Sequence, residues 1–180
     1  TEKGYYLDLP GFHQKRPYIP GYSGVGIVRS DRSRSLKKFK RGIMVAGLFK
    51  HSSRNILPQR SLVPVPEKVT PRQAAFVSLC VIARCGVRTA NIKPSSRIAV
   101  LGQGILGQLA VQMARRSGAG WVAGSALTRN KESISRQSGI DEFYALSEGD
   151  INPEEINADK VIDATGTVGG CDTAGRVVNP

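Results

Sequence analysis

Apolar positions in this chain follow two rhythms, and the change between them near Thr70 is the first guide to its architecture. Before Thr70 they come in short runs cut by glycine and proline. Gly24-Val-Gly-Ile-Val28, after a Pro20-Gly21 turn signal, and Gly42-Ile-Met-Val-Ala-Gly47 read as strands. Gly24 and Gly26 are the positions where a neighbouring backbone or ligand can come close. Ser61-Leu-Val-Pro-Val-Pro-Glu-Lys-Val-Thr70 has prolines too frequent for a helix or a central strand, and reads as an extended crossing segment at a domain boundary. From Thr70 onward β-rich runs alternate with stretches of helical period. Thr70 before Pro71 is a helix N-cap with proline at the first helical position. The helix it opens carries Ala74, Ala75, Val77, Leu79, Val81 and Ile82, apolar on nearly every face, which predicts burial between two layers. Four later runs, ending near Leu101, Gly124, Leu146 and Ala164, predict a parallel sheet of α/β type.

The junction after the first of these runs carries the clearest chemistry. Ile98-Ala-Val-Leu101 stops at Gly102-Gln-Gly104-Ile-Leu-Gly107, and a helical pattern with Leu106, Leu109, Ala110, Met113 and Ala114 on one side follows. This is G-x-G-x-x-G between a strand and a helix, with a second strand, Trp121-Val-Ala-Gly124, at βαβ distance. Gly102 permits a turn too tight for a Cβ, Gly104 lets the backbone approach a pyrophosphate, and Gly107 lets helix and strand pack closely. The N–H groups of Ile105, Leu106 and Gly107 then face the phosphates at the positive end of the helix dipole.

An NAD-binding unit carries an acid about 20 residues past the glycines, at the end of the second strand, where it bonds the adenosine ribose. The aligned position here is Ala126. Ser125, Thr128, Arg129 and Lys131 surround it with hydroxyls and positive charge and no carboxylate to oppose a phosphate, so NADPH is the expected cofactor and NADH the alternative.

Composition adds boundaries. A chain of 180 residues fits one domain or two small ones. No apolar run approaches the ~18–20 residues of a membrane span. Cys80, Cys85 and Cys171 have no C-x-x-C spacing and read as reduced thiols of a cytoplasmic protein. The 26 Lys+Arg against 14 Asp+Glu give a net charge of +12. The densest basic run, between Arg29 and Arg41, has no stacking aromatic beyond Phe39, so a solvated loop is expected and nucleic acid is not the expected partner. His13 and His51 lie in polar stretches and read as surface residues, as do Glu142, Glu148, Glu154 and Glu155.

The order P-G-Y-S-G-V-G-I-V, V-P-V-P-E-K-V, K-P-S-S-R-I-A-V-L-G-Q-G-I-L-G-Q-L-A-V-Q-M-A and A-D-K-V-I-D-A-T-G resembles the medium-chain dehydrogenase/reductase superfamily from about Pro17 to the end. That resemblance implies a Rossmann-type doubly wound parallel sheet preceded by part of a GroES-like β-rich catalytic domain. Residues 1–64 would be the partial GroES-like domain and residues 65–180 the Rossmann domain. It also implies a polypeptide extending beyond both ends of this span, the span alone being marginally stable. Where the zinc-dependent, alcohol dehydrogenase-like members carry G-H-E-x-x-G, this chain has Gly21-Tyr22-Ser23-Gly24-Val25-Gly26, so it resembles the zinc-lacking branch and no zinc is expected.

The resemblance makes Tyr22 a candidate proton donor, with Ser23 beside it, although Tyr22 also fits a packing role at the domain interface. Ala164, Thr165 and Gly166 would border the nicotinamide, and Asp163 would orient backbone groups or simply shape the turn. The implied activity is hydride transfer between a nicotinamide cofactor and a carbonyl, quinone or activated alkene. The alternatives are a zinc-dependent alcohol or polyol dehydrogenase whose ligands lie outside this span, and a non-catalytic nucleotide-binding module. The expected partner is a small-molecule substrate, without a membrane, and a homodimer is left open.

Overall fold

A computed structural model of the chain describes residues 19–32 and 39–178. His13 and the middle of the basic run, residues 33–38, lie outside them. The chain folds as two units, Thr1–Ser78 and Leu79–Pro180.

In the first unit, strands β1 (Gly24–Ile27), β2 (Met44–Gly47) and β3 (Leu62–Pro64) form an antiparallel sheet in the order β1-β2-β3. Gly24 faces Gly47 across the first ladder, and Val45 faces Pro64 across the second. The proline-rich segment therefore supplies an edge strand, the one kind of strand that tolerates a residue without an N–H. The two glycines of β1 make room for a side chain: a Cβ on Gly24 would lie 2.7 Å from the Phe49 Cβ, and one on Gly26 2.9 Å from the Phe49 ring.

After β3 the chain stays with this unit. Val65 N–H donates to the Met44 carbonyl at 2.9 Å, and the Ala75 carbonyl accepts from Ser23. These bonds carry the division between units to Ser78, later than the expected one after Pro64. Helix α1 (Pro71–Ala74) opens at the N-cap expected at Thr70, and Gln73 makes that cap a capping box: the Thr70 hydroxyl accepts from Gln73 N–H at 3.3 Å while Gln73 Oε1 accepts from Thr70 N–H at 3.0 Å.

A second helix, α2 (Val77–Thr89), follows α1. Its apolar faces are not all buried, contrary to expectation: Ala83 and Val87 are buried, but Val81 and Ile82 are 56 % and 50 % exposed. Val87 packs with Ile98 and Val100 in the core of the parallel sheet.

The second unit continues with β4 (Arg97–Leu101), α3 (Ile105–Arg116), β5 (Trp121–Ala126), α4 (Glu132–Ser138), β6 (Glu142–Ala145), β7 (Lys160–Asp163) and α5 (Val168–Val177). All four strands are parallel, in the order β6-β5-β4-β7. The chain moves outward from β4 through β5 to β6, then returns to the other side of β4. The order thus reverses between β4 and β7, the switch point at which such sheets take ligands at their carboxyl ends. Successive residues of β4 feed two cores. Ile98 and Val100 pack with Ala110, Val111 and Ala114 of α3, whereas Ala99 and Leu101 pack with Ile156, Ala158 and Val177 on the opposite face. Burial on both faces is why these strands read as unbroken apolar runs. Among the described residues no helix is long and apolar enough to cross a membrane.

Candidate dinucleotide site

The switch point is built by backbone. Gly102 N–H donates to the Ser125 carbonyl at 2.8 Å and Ala164 N–H to the Leu101 carbonyl at 2.8 Å, so the ends of β5, β4 and β7 are drawn into one rim. Each glycine of the motif has a separate physical reason. Gly102 sits at φ +84°, and a Cβ there would lie 2.9 Å from the Ala164 carbonyl carbon. A Cβ on Gly107 would overlap the Gly102 carbonyl oxygen and lie 3.0 Å from its carbon. Gly104 is different: it has an ordinary φ of −76°, and a Cβ would meet nothing within 4 Å. The fold does not need glycine at this third position, and the space beside it is the kind an approaching ligand would use.

Gly104 is also the N-cap of α3, and no side chain caps that helix. Its first N–H groups lack intrahelical partners, which leaves Ile105, Leu106 and Gly107 presenting donors and dipole to this space. Ile105 is 55 % exposed, Leu106 is half-buried and Gly107 is buried. Among the described residues two further polar side-chain atoms are buried without a protein partner, Ser125 Oγ and Gln103 Oε1. An open backbone edge at Gly104, an uncapped helix and an orphaned hydroxyl at the end of β5 suit a dinucleotide's phosphates and ribose.

The far side of the rim follows β5. Ala126 is half-buried, while Thr128, Arg129 and Lys131 are exposed. The expectation that no carboxylate lies here does not hold. Arg129 NH1 lies 3.1 Å from Glu132 Oε2, NH2 2.6 Å from Asp150 Oδ1 and Nε 3.4 Å from Glu148 Oε2, and Arg129 N–H donates to Glu148 Oε1 at 3.0 Å. The hydrogen bond to Glu132 and the charge of Asp150 hold the Arg129 guanidinium above its usual pKa. Asp150 is fixed from behind by Ala145 N–H at 2.8 Å. Ser147 binds the Leu127 carbonyl through both its N–H and its hydroxyl, which ties this turn to the end of β5. The sequence alone presents Glu148 as a plain surface residue and gives Asp150 no local signal. What could have found them is topology: β5 and β6 are parallel neighbours, so the loops that leave them emerge side by side.

On the other flank, Asp163 Oδ1 accepts from Thr165 N–H at 2.8 Å and from the Thr165 hydroxyl at 2.7 Å. Partial burial works to raise the Asp163 pKa, but these bonds and one from Cys171 outweigh it and hold the carboxyl below its usual range. Thr165 and Gly166 are exposed, and Ala164 lies against Gly102. Asp163 thus shapes the turn that carries the three residues expected at the nicotinamide.

In the first unit, Tyr22 is 44 % exposed. The Ser23 hydroxyl donates to the Ala75 carbonyl at 2.5 Å, a bond that fastens β1 to the end of α1. Among the described residues no three of His, Cys, Asp and Glu are grouped to hold a metal.

No family model matches the chain. It is 31 % identical over 87 residues to D-guloside 3-dehydrogenase of Shigella flexneri, a match covering 48 % of this chain and 25 % of that protein. In structure it is similar to zinc dependent alcohol dehydrogenase 2 from Streptococcus pneumonia in its apo form, with a TM-score of 0.82 at 19 % identity over 98 % of this chain and 60 % of that one. A Sinorhizobium meliloti protein named for a zinc-binding dehydrogenase, solved bound to NADP, gives a TM-score of 0.74 at 22 % identity over 86 % of this chain and 56 % of that one. The match thus spans about a quarter of the length of the Shigella relative. The chain has the α/β fold of these solved dehydrogenases, and the curated sequences it matches include D-guloside 3-dehydrogenase and alcohol dehydrogenase 1.

Proposed function

We propose that this chain holds a nicotinamide dinucleotide, NADPH in preference to NADH, and serves hydride transfer to or from a carbonyl, quinone or activated alkene without catalytic zinc. The observation that carries the reading is the glycine turn, in which Gly102 and Gly107 are demanded by packing and Gly104 is not. A glycine that the fold can do without, at an uncapped helix start, supports a site for phosphate. Gly102, Gly104, Ile105, Leu106 and Gly107 would receive the pyrophosphate. Ser125, Ala126, Arg129 and Lys131 would meet the adenosine ribose, and Ala164, Thr165 and Gly166 would border the nicotinamide. When bound, the cofactor supplies the hydride chemistry, and the protein's part is to hold and orient it. Tyr22, with a phenol exposed to solvent, would donate a proton to the substrate oxygen. Ser23, whose hydroxyl donates to the Ala75 carbonyl, would position the segment before β1 that carries Tyr22.

The substrate would be a small molecule and the compartment the cytoplasm, in keeping with three free thiols. One observation favours the non-catalytic module instead: with Ser23 engaged, Tyr22 has no second free hydroxyl beside it. Oxidation of NADPH and NADH across a panel of aldehydes, quinones and enones separates the two, since binding without turnover identifies the module. Elemental analysis finding about one zinc per chain would remove the metal-free reading and restore the polyol dehydrogenase.

A further inference from the structure

The Arg129 cluster bears on which dinucleotide the site prefers. The guanidinium meets three carboxylates through all three of its nitrogens, and one of them, Glu148, also takes the Arg129 backbone N–H. Glu132 belongs to the same helix as Arg136, which binds it at 2.7 Å and shares its charge. Among the described residues Glu148 and Asp150 form ion pairs with no cation other than Arg129. Their turn is fastened to the end of β5 by Ser147, which bonds the Leu127 carbonyl, and Asp150 is held to the end of β6 by Ala145 N–H, so they do not drift away when Arg129 turns elsewhere. The Asp150 side chain is 14 % exposed, which limits solvent screening of its charge.

Resting on the dinucleotide reading, we propose that Glu148 and Asp150 are specificity-determining residues that restrain the preference for NADPH. A 2′-phosphate arriving at Arg129 must displace at least one carboxylate and then lie beside two fixed negative charges. The unphosphorylated ribose of NADH meets neither demand. Discrimination is a difference between two affinities, and repulsion of one ligand sets it as effectively as attraction of the other. Arg129 alone is a phosphate receptor; Arg129 held by this loop is a receptor already occupied by anions of the protein itself. The motif pattern around Ala126 therefore overstates the preference that the folded site delivers.

The test measures dissociation constants of NADPH and NADH, and of 2′-AMP and 5′-AMP, by fluorescence and calorimetric titration of the protein and its Glu148→Gln and Asp150→Asn variants. Both substitutions keep an acceptor for the backbone N–H that each residue binds, and a thermal unfolding scan of each variant checks that it folds. The ratio of NADH to NADPH dissociation constants should rise about five- to tenfold in each variant, with 2′-AMP following NADPH and the gain shrinking as salt is raised. Glu148→Asp, which retains the charge, should restore the original ratio. A ratio that stays within about twofold in both variants, or falls, overturns the proposal; a fall would mean that the carboxylates orient Arg129 toward the phosphate. Failure of the unsubstituted protein to bind either dinucleotide would remove the underlying site reading, and the proposal with it.

Discussion

Two single-methyl substitutions three residues apart, one at the N-cap of α3 and one in its first turn, should have different consequences. In Gly107→Ala the added Cβ overlaps the Gly102 carbonyl oxygen and lies 3.0 Å from its carbon. Both atoms are backbone in the turn that joins β4 to α3, so no rotamer change relieves the overlap and helix and strand must separate. Overpacking of this kind costs about 3 kcal/mol, offset by about 1 kcal/mol for replacing glycine inside a helix, a net loss of ~2 kcal/mol. For a protein of this size that lowers the unfolding midpoint by about 4–8 °C. In Gly104→Ala the Cβ meets nothing within 4 Å and φ is −76°, so strain is absent. The poorer N-cap and the stiffer unfolded chain nearly cancel, leaving stability within ~1 kcal/mol of the original. If a pyrophosphate approaches the backbone there, the methyl group displaces it from one or two charge-assisted hydrogen bonds worth about 1.5–3 kcal/mol each, weakening dinucleotide affinity tenfold or more. Thermal unfolding and fluorescence titration of NADPH on the two variants give the answer. A Gly104→Ala variant that binds as tightly as the parent refutes the phosphate cradle, and a Gly107→Ala variant of unchanged midpoint refutes the packing argument.

Other expectations are narrower. Thr70→Ala removes the hydroxyl half of the capping box and should cost about 1 kcal/mol in urea unfolding, with Thr70→Ser restoring most of it. The Asp163 carboxyl is held below its ordinary value, so it contributes stability above pH ~4 that is lost as pH falls through its folded-state value; Asp163→Asn should flatten that acid limb of the unfolding midpoint. The Tyr144 phenol is pushed up to about 12, first by burial and then by the hydrogen bond to Glu142. Its contribution should persist below pH ~10 and disappear as pH rises toward that value, and the ultraviolet difference titration against Tyr144→Phe should show a late phenol that Glu142→Gln brings earlier. Arg129→Glu should reduce the NADPH preference, and a variant that binds NADPH more tightly than the parent would contradict the placement of the 2′-phosphate.

What the sequence made legible, and what it hid, divides along a physical line. The four parallel strands, the glycine turn and the Thr70 cap depend on residues within a few positions of one another, where periodicity and backbone conformation leave a direct trace. The faces of α2 were misjudged because an apolar pattern tells which faces could be buried and not which of them meet a neighbour; Val81 and Ile82 are as apolar as Val87 and differ only in what lies opposite. The glycines of β1 were understood as points of close approach without a partner, since Phe49 reaches them only after β2 has turned back. The Arg129 cluster is the sharpest case. Glu148 lies 19 residues from Arg129 and Asp150 lies 21 residues away, and neither distance has a periodic signature. Yet parallel pairing of β5 with β6 puts Ala126 opposite Ala145, and everything that leaves those two ends must share the same few ångströms of rim. A motif identifies groups that meet through local backbone, whereas charges that meet across loops are assigned by strand order. Once β6 is granted its place beside β5, an acidic turn after β6 becomes part of the cofactor question, and the residues around Ala126 can no longer be weighed by their own charges alone.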